Sequence, residues 1–114
     1  MILQILNRLG ILGSQRGQGY ILCAVNAVRA DRTLLQAVTT RLYPLVAKQH
    51  GATDKAVGRA IGRSLACCWD AGNRALLEDI AGRRLTVRPY PREFIAMLVD
   101  FDKAELGRSG LRNF

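Results

Sequence analysis

Apolar residues in this chain recur at helical spacing, and every run that shows the spacing is cut short by glycine or proline. Residues 2–9 put Ile2, Ile5, Leu6 and Leu9 on one stripe, and the glycine-rich loop "GILGSQRGQG" follows. A second helix is expected from about Gly19 to Ala30, with Tyr20, Cys23, Ala24, Ala27 and Val28 inward. Leu34, Leu35, Val38, Leu42, Leu45 and Val46 carry the same period as far as Gly51, with a break or kink expected at Pro44. Thr53 or Asp54 caps the next helix, which runs to about Ala71, and "GNRALLEDIAG" is a short helix between Gly72 and Gly82. Pro89 and Pro91 forbid helix locally, so "RRLTVRPYPRE" reads as a short hairpin or an extended arm. A last helix starts near Pro91 or Arg92 and carries Phe94, Ile95, Leu98, Val99 and Phe101, and residues 107–114 read as a frayed tail. The expectation is one domain over residues 1–114, a compact all-α bundle of about six helices.

The 114 residues suffice for one modest core, and 49% of them are hydrophobic, which excludes compositional disorder. Seventeen Lys and Arg against nine Asp and Glu leave a net charge of +8. Such an excess favours a polyanion such as nucleic acid, or failing that an anionic membrane surface, although a basic protein with no polyanion partner has the same composition. No run reaches eighteen uncharged apolar residues, and Arg8 interrupts the apolar start, so no membrane partner is expected. Cys23, Cys67 and Cys68 are an odd number with two adjacent, a poor disulfide framework that suits a reducing cytoplasm. His50 is the single histidine and no C-x-x-C occurs, so neither a metal site nor a cofactor is expected. No phosphate loop, nucleophile elbow or carboxylate cluster suggests catalysis or a small-molecule substrate.

Residues 42–71 carry the constellation of interest. Ala47 lies four residues before Gly51, and Val57 six residues after it. This is helix-turn-helix spacing: a small residue lets two helices cross, a glycine turns the chain, and an apolar residue pins the second helix to the first. His50 stands where an apolar residue is expected before the turn. In the second helix Val57, Ile61, Leu65, Cys68 and Trp69 form an apolar stripe. Lys55, Arg59 and Arg63 recur every four residues on the other side, with Gly58 and Gly62 beside them. A helix so divided buries one face and offers the other to the major groove of double-stranded DNA, where arginine binds guanine bidentately. The same row would also serve as a solvated face on a structural helix. Lys48, Arg74, Arg83, Arg84 and Arg88 are candidates for phosphate contacts, and Thr53 and Asp54 for the helix cap.

The motifs "LYP" at 42–44, "AK" at 47–48, "T.KAV.RAI" from Thr53 to Ile61, "W..GN" from Trp69 to Asn73 and "EFIAM" at 93–97 make the chain familiar. In order and spacing it resembles, from about Gly17 to Asp100, the C-terminal DNA-binding effector domain of the sporulation stage-zero master response regulator of endospore-forming bacteria. The resemblance implies a six-helix domain whose third and fourth helices form the helix-turn-helix. It also implies two copies bound to neighbouring DNA sites, and activation or repression once an attached receiver domain is phosphorylated. A cytoplasmic place follows, on the nucleoid when DNA is bound.

Two departures qualify this. The family's reading face carries a glutamate, an arginine, a second arginine and a histidine where this chain has Gly58, Arg59, Gly62 and Arg63. Only Arg59 carries over, so the family's sequence preference does not transfer, whereas phosphate affinity depends mainly on charge. No receiver lies within the 114 residues, which are either a native chain with another mode of control or a fragment. The alternative to a DNA-binding transcription regulator is a protein-interaction module that lost base readout and pairs with a homologous regulator.

Overall fold

The computed structural model describes the backbone of residues 1–112 and the side chains of residues 1–103. Six α-helices follow one another: α1 (Ile2–Leu9), α2 (Arg16–Ala30), α3 (Tyr43–His50), α4 (Asp54–Ala71), α5 (Arg74–Ala81) and α6 (Pro91–Arg112), with no strand among the described residues. The all-α expectation is met. Ile2, Ile5, Leu6 and Leu9 bury the face of α1 that their spacing defines, and Phe94, Ile95, Leu98 and Val99 do the same for α6.

α2 begins three residues earlier than its apolar pattern suggests, at Arg16. The early start brings Gly17 against α4. A Cβ at position 17 would lie 2.6 Å from the Ala60 carbonyl oxygen and 2.8 Å from the Ser64 Cβ, so only glycine lets the two helices meet this closely. The Ser64 hydroxyl, buried in α4, donates to the Gln15 side-chain oxygen at 2.7 Å, and the Gln15 amide donates onward to the Gly10 carbonyl at 3.2 Å. Gln18 donates to the Asn7 side chain at 2.7 Å and to the Ile11 carbonyl at 3.0 Å. Two glutamines therefore fasten a loop whose sequence shows only its glycines.

The segment expected as one helix kinked at Pro44 is built otherwise. A 3-10 turn spans Arg32–Gln36, a π-turn spans Val38–Leu42, and Pro44 sits in the first turn of α3. A proline there sacrifices no helical hydrogen bond, because the first-turn N–H groups have no partner within the helix. Asp31 accepts from the Thr33 backbone N–H at 3.0 Å and from the Thr33 hydroxyl, and Arg41 closes the group at 3.3 Å. The Thr33 hydrogen bonds, helped by Arg41, hold the Asp31 carboxyl below its ordinary value.

Gly51 ends α3 with φ 62°, a left-handed conformation natural to glycine, and the Ala52 N–H donates to the Ala47 carbonyl at 2.9 Å. Of the two candidate caps, Thr53 is the one used: its hydroxyl accepts from the Ala56 N–H at 3.1 Å, while Asp54 lies in the first turn, where the helix dipole favours an anion. Asn73 caps α5 in the same way through Leu76.

Residues 83–90 form neither a hairpin nor a free arm. Leu85 is buried and donates its backbone N–H to the Glu78 carboxylate at 2.8 Å, and Pro89 is buried too. The segment is thus pinned at two points. Residues 107–112, expected as part of a frayed tail, continue α6, and residues 113–114 lie outside the described residues.

Gly62 of α4 and Gly17 of α2 should respond in opposite ways to a methyl group. Gly62 has nothing within 4 Å of a built Cβ, so Gly62→Ala is expected to stabilise the protein by up to about 1 kcal/mol. Gly17→Ala should cost roughly 1–3 kcal/mol through overpacking. Urea denaturation of the two variants checks both signs, and a Gly17→Ala protein as stable as the parent would contradict the close crossing.

Candidate nucleic-acid interface

α4 divides by burial as its sequence divides by polarity. Val57, Ile61, Leu65 and Cys68 are buried with Ser64, whereas Lys55, Arg59 and Arg63 are all exposed. These three span about 12 Å along the axis, and because a step of four residues advances about 40° beyond a full turn, Arg63 stands about 80° around the helix from Lys55. The row therefore slants across the exposed face.

The two glycines are not equivalent. Gly62 is open, as a gap in a reading face requires. Gly58 departs from the expectation that it shares the face of the basic row. A Cβ there would sit 3.1 Å from the Tyr43 ring, so the aromatic side chain of α3 occupies the flank beside it. Tyr43 is itself buried, which raises its hydroxyl above the ordinary value. Its closeness to Gly58 makes that glycine a packing element between α3 and α4. His50, the anomalous residue before the turn, is exposed and meets the Tyr20 ring edge-on, the ring centres 5.1 Å apart.

Charge is distributed unevenly over the molecule. The ion pairs among the described residues join Arg29 to Asp102, Arg32 to Asp100, Arg41 to Asp31 and Arg83 to Glu93. The first three join the end of α2 and the turns between α2 and α3 to one another or to the middle of α6. Asp102, which no sequence pattern singles out, is buried with its carboxylate 3.2 Å from the Arg29 guanidinium. No such pair neutralises Lys55, Arg59 or Arg63 among the described residues, so the exposed face of α4 keeps its positive charge.

The candidate phosphate contacts are scattered. Lys48 is exposed in the last turn of α3. Arg74 is already engaged, its guanidinium 3.4 Å from the centre of the Trp69 ring and donating to the Trp69 carbonyl at 2.8 Å. It thus closes the C-terminal end of α4, where a cation complements the helix dipole. Arg83 lies 3.9 Å from Glu93. Arg84 and Arg88 are exposed on the pinned segment, and Val87, Arg88 and Tyr90 border a groove whose other wall is Gly62, Leu65 and Trp69 of α4. Tyr90, 75% exposed beside α4, escapes a reading of the sequence because it stands between two prolines, where no periodicity tells which way a side chain faces.

Among the described residues no group of His, Cys, Asp and Glu is placed to hold a metal ion, and no helix is long and apolar enough to cross a membrane.

An all-α domain that presents an uncompensated basic helix face beside a tight interhelical turn has the form of a DNA-binding module. The family model for the sporulation initiation factor Spo0A C terminal matches residues 2–101, nearly the whole chain. The chain belongs to the Spo0A C-terminal family, the DNA-binding effector domain of a sporulation regulator, and is a regulatory domain rather than an enzyme.

The three cysteines separate by environment. Cys67 is exposed on α4; Cys23 is half-buried, its thiol 3.1 Å from the Gln49 side-chain oxygen; Cys68 is buried, which pushes its thiol up to about 11. Since the thiolate is the reactive form, a maleimide at pH 8 should label Cys67 first and leave Cys68 unlabelled until the protein unfolds. Burial also raises Cys23, which should label more slowly than Cys67. Peptide mass spectrometry against time checks the order.

Proposed function

We propose that α3, the Gly51 turn and α4 act as a helix-turn-helix that lays α4 in the major groove of double-stranded DNA, and that the domain regulates transcription by this contact. The uncompensated row Lys55, Arg59 and Arg63 on an exposed helix is the observation that carries the reading. Its length of about 12 Å compares with a major groove about 12 Å wide. The core side of α4, fixed through Ser64 and Gly17, leaves that face outward.

Within the row, Arg59 is central and stands where the family also has an arginine. It is the residue assigned to read a base edge. Gly62 offers no side chain, so the base opposite it is read weakly or not at all, and the preference of the domain is altered or relaxed. Two copies on neighbouring sites, as the family arrangement implies, and a cytoplasmic setting complete the proposal. Charge is the main source of affinity, so binding should fall steeply between about 50 and 200 mM salt. A chain with no affinity for any duplex at the lower salt would instead be the protein-interaction module.

Arg59→Ala is expected to weaken binding to a preferred duplex by roughly 1–3 kcal/mol, the worth of a bidentate base contact, with a smaller loss on a scrambled duplex. An electrophoretic shift titration of both duplexes measures the difference. Equal losses on the two would remove Arg59 from base reading.

A further inference from the structure

Arg63 does not face the same surroundings as Arg59. The slant of the basic row carries it toward the side of α4 that bears Ala60, Ser64 and Cys67, and that side meets the start of α2. There the two helices enclose a groove of about 360 Å³ lined by Gln15, Arg16 and Gly17 from one wall and by Ala60, Arg63, Ser64 and Cys67 from the other. Arg16, a residue outside the helix-turn-helix, thus shares a groove with Arg63. Both are exposed, and neither takes part in an ion pair among the described residues.

The groove is held in shape. Ser64 and Gln15 are hydrogen-bonded across its floor at 2.7 Å, and the absence of a side chain at Gly17 sets the separation of its walls. Arg16 follows Gln15 directly and so has a fixed origin. Two like charges facing one small groove repel each other, and an anion between them removes that repulsion while gaining charge-assisted hydrogen bonds. A groove at the edge of a helix lying in the major groove faces the DNA backbone that borders it. On the far edge of α4 the pinned segment carries Arg88.

We infer that Arg16 and Arg63 together hold one phosphodiester of the DNA backbone beside the major groove, so that Arg63 positions α4 and Arg59 reads. The assignment rests on the DNA-binding reading above. It differs from a purely helix-turn-helix contact in placing the start of α2 on the DNA, and in withdrawing Arg63 from base recognition.

Fluorescence anisotropy of a preferred and a scrambled duplex, titrated across salt concentrations, tests the inference with Arg16→Ala, Arg63→Ala and Arg59→Ala. Arg16→Ala and Arg63→Ala should each lose the same factor of affinity on both duplexes. Removing one phosphate interaction should flatten the slope of log K against log salt by about 0.9. Arg16→Lys should recover most of the slope. Circular dichroism should be unchanged, as both side chains are exposed. As a second readout, saturating duplex should slow the alkylation of Cys67, which lines the same groove, in a Cys23→Ser background. Parent protein that binds duplex, with Arg16→Ala matching it in affinity and slope, overturns the inference and leaves the DNA-binding reading standing. Unslowed Cys67 alkylation on a saturated complex overturns it as well. Parent protein that binds no duplex overturns both.

Discussion

The close crossing of α2 and α4 at Gly17 fixes how α4 sits in the fold. Both the Ala60 carbonyl and the Ser64 side chain stand where a side chain on residue 17 would be. Because the helices meet there, the buried Ser64 hydroxyl finds Gln15, and Gln15 in turn holds the loop back to Gly10. A buried hydroxyl without such a partner would be costly, so the hydrogen bond and the crossing require each other. From this point the orientation of α4 about its own axis is set. Val57, Ile61, Leu65 and Cys68 enter the core, and Lys55, Arg59 and Arg63 are left outside.

Charge placement adds to what packing begins. The acidic residues that pair with arginines are Asp31, Glu93, Asp100 and Asp102, and none lies on the basic face of α4. The three pairs other than Arg29–Asp102 are exposed and contribute little to stability. The consequence of the pairing is electrostatic: Arg29, Arg32, Arg41 and Arg83 are offset locally, whereas Lys55, Arg59 and Arg63 are not. The net charge of +8 therefore leaves a positive field over that exposed face. The family to which the chain belongs binds DNA, and that field is the physical property such binding needs.

Much of this is legible in the sequence, for reasons that can be named. The six α-helices follow from apolar periodicity, and Gly51, Gly72 and Gly82 mark ends that the structure keeps. The exposed row on α4 follows from spacing alone. What spacing does not encode is distance between segments. Gly17 looks like one more loop glycine, because nothing local shows that Ala60 and Ser64 will arrive beside it. Gly58 and Gly62 look alike for the same reason, and only the ring of Tyr43 separates them. Pro44 reads as a kink because the apolar period runs through it, whereas the residues before it adopt 3-10 and π turns that keep the period without an α-helix. Arg74, a candidate for phosphate, is taken up by Trp69, a partner five residues away that helical geometry places at the end of α4.

On the proposed reading, α4 is a DNA-reading helix whose preference is relaxed at Gly62. Selection of bound duplexes from a random double-stranded pool measures that preference. Duplexes should be recovered, and their common sequence should be short, with one strongly preferred guanine opposite Arg59 and no preference at the base opposite Gly62. Recovery of no duplex at low salt would contradict that reading.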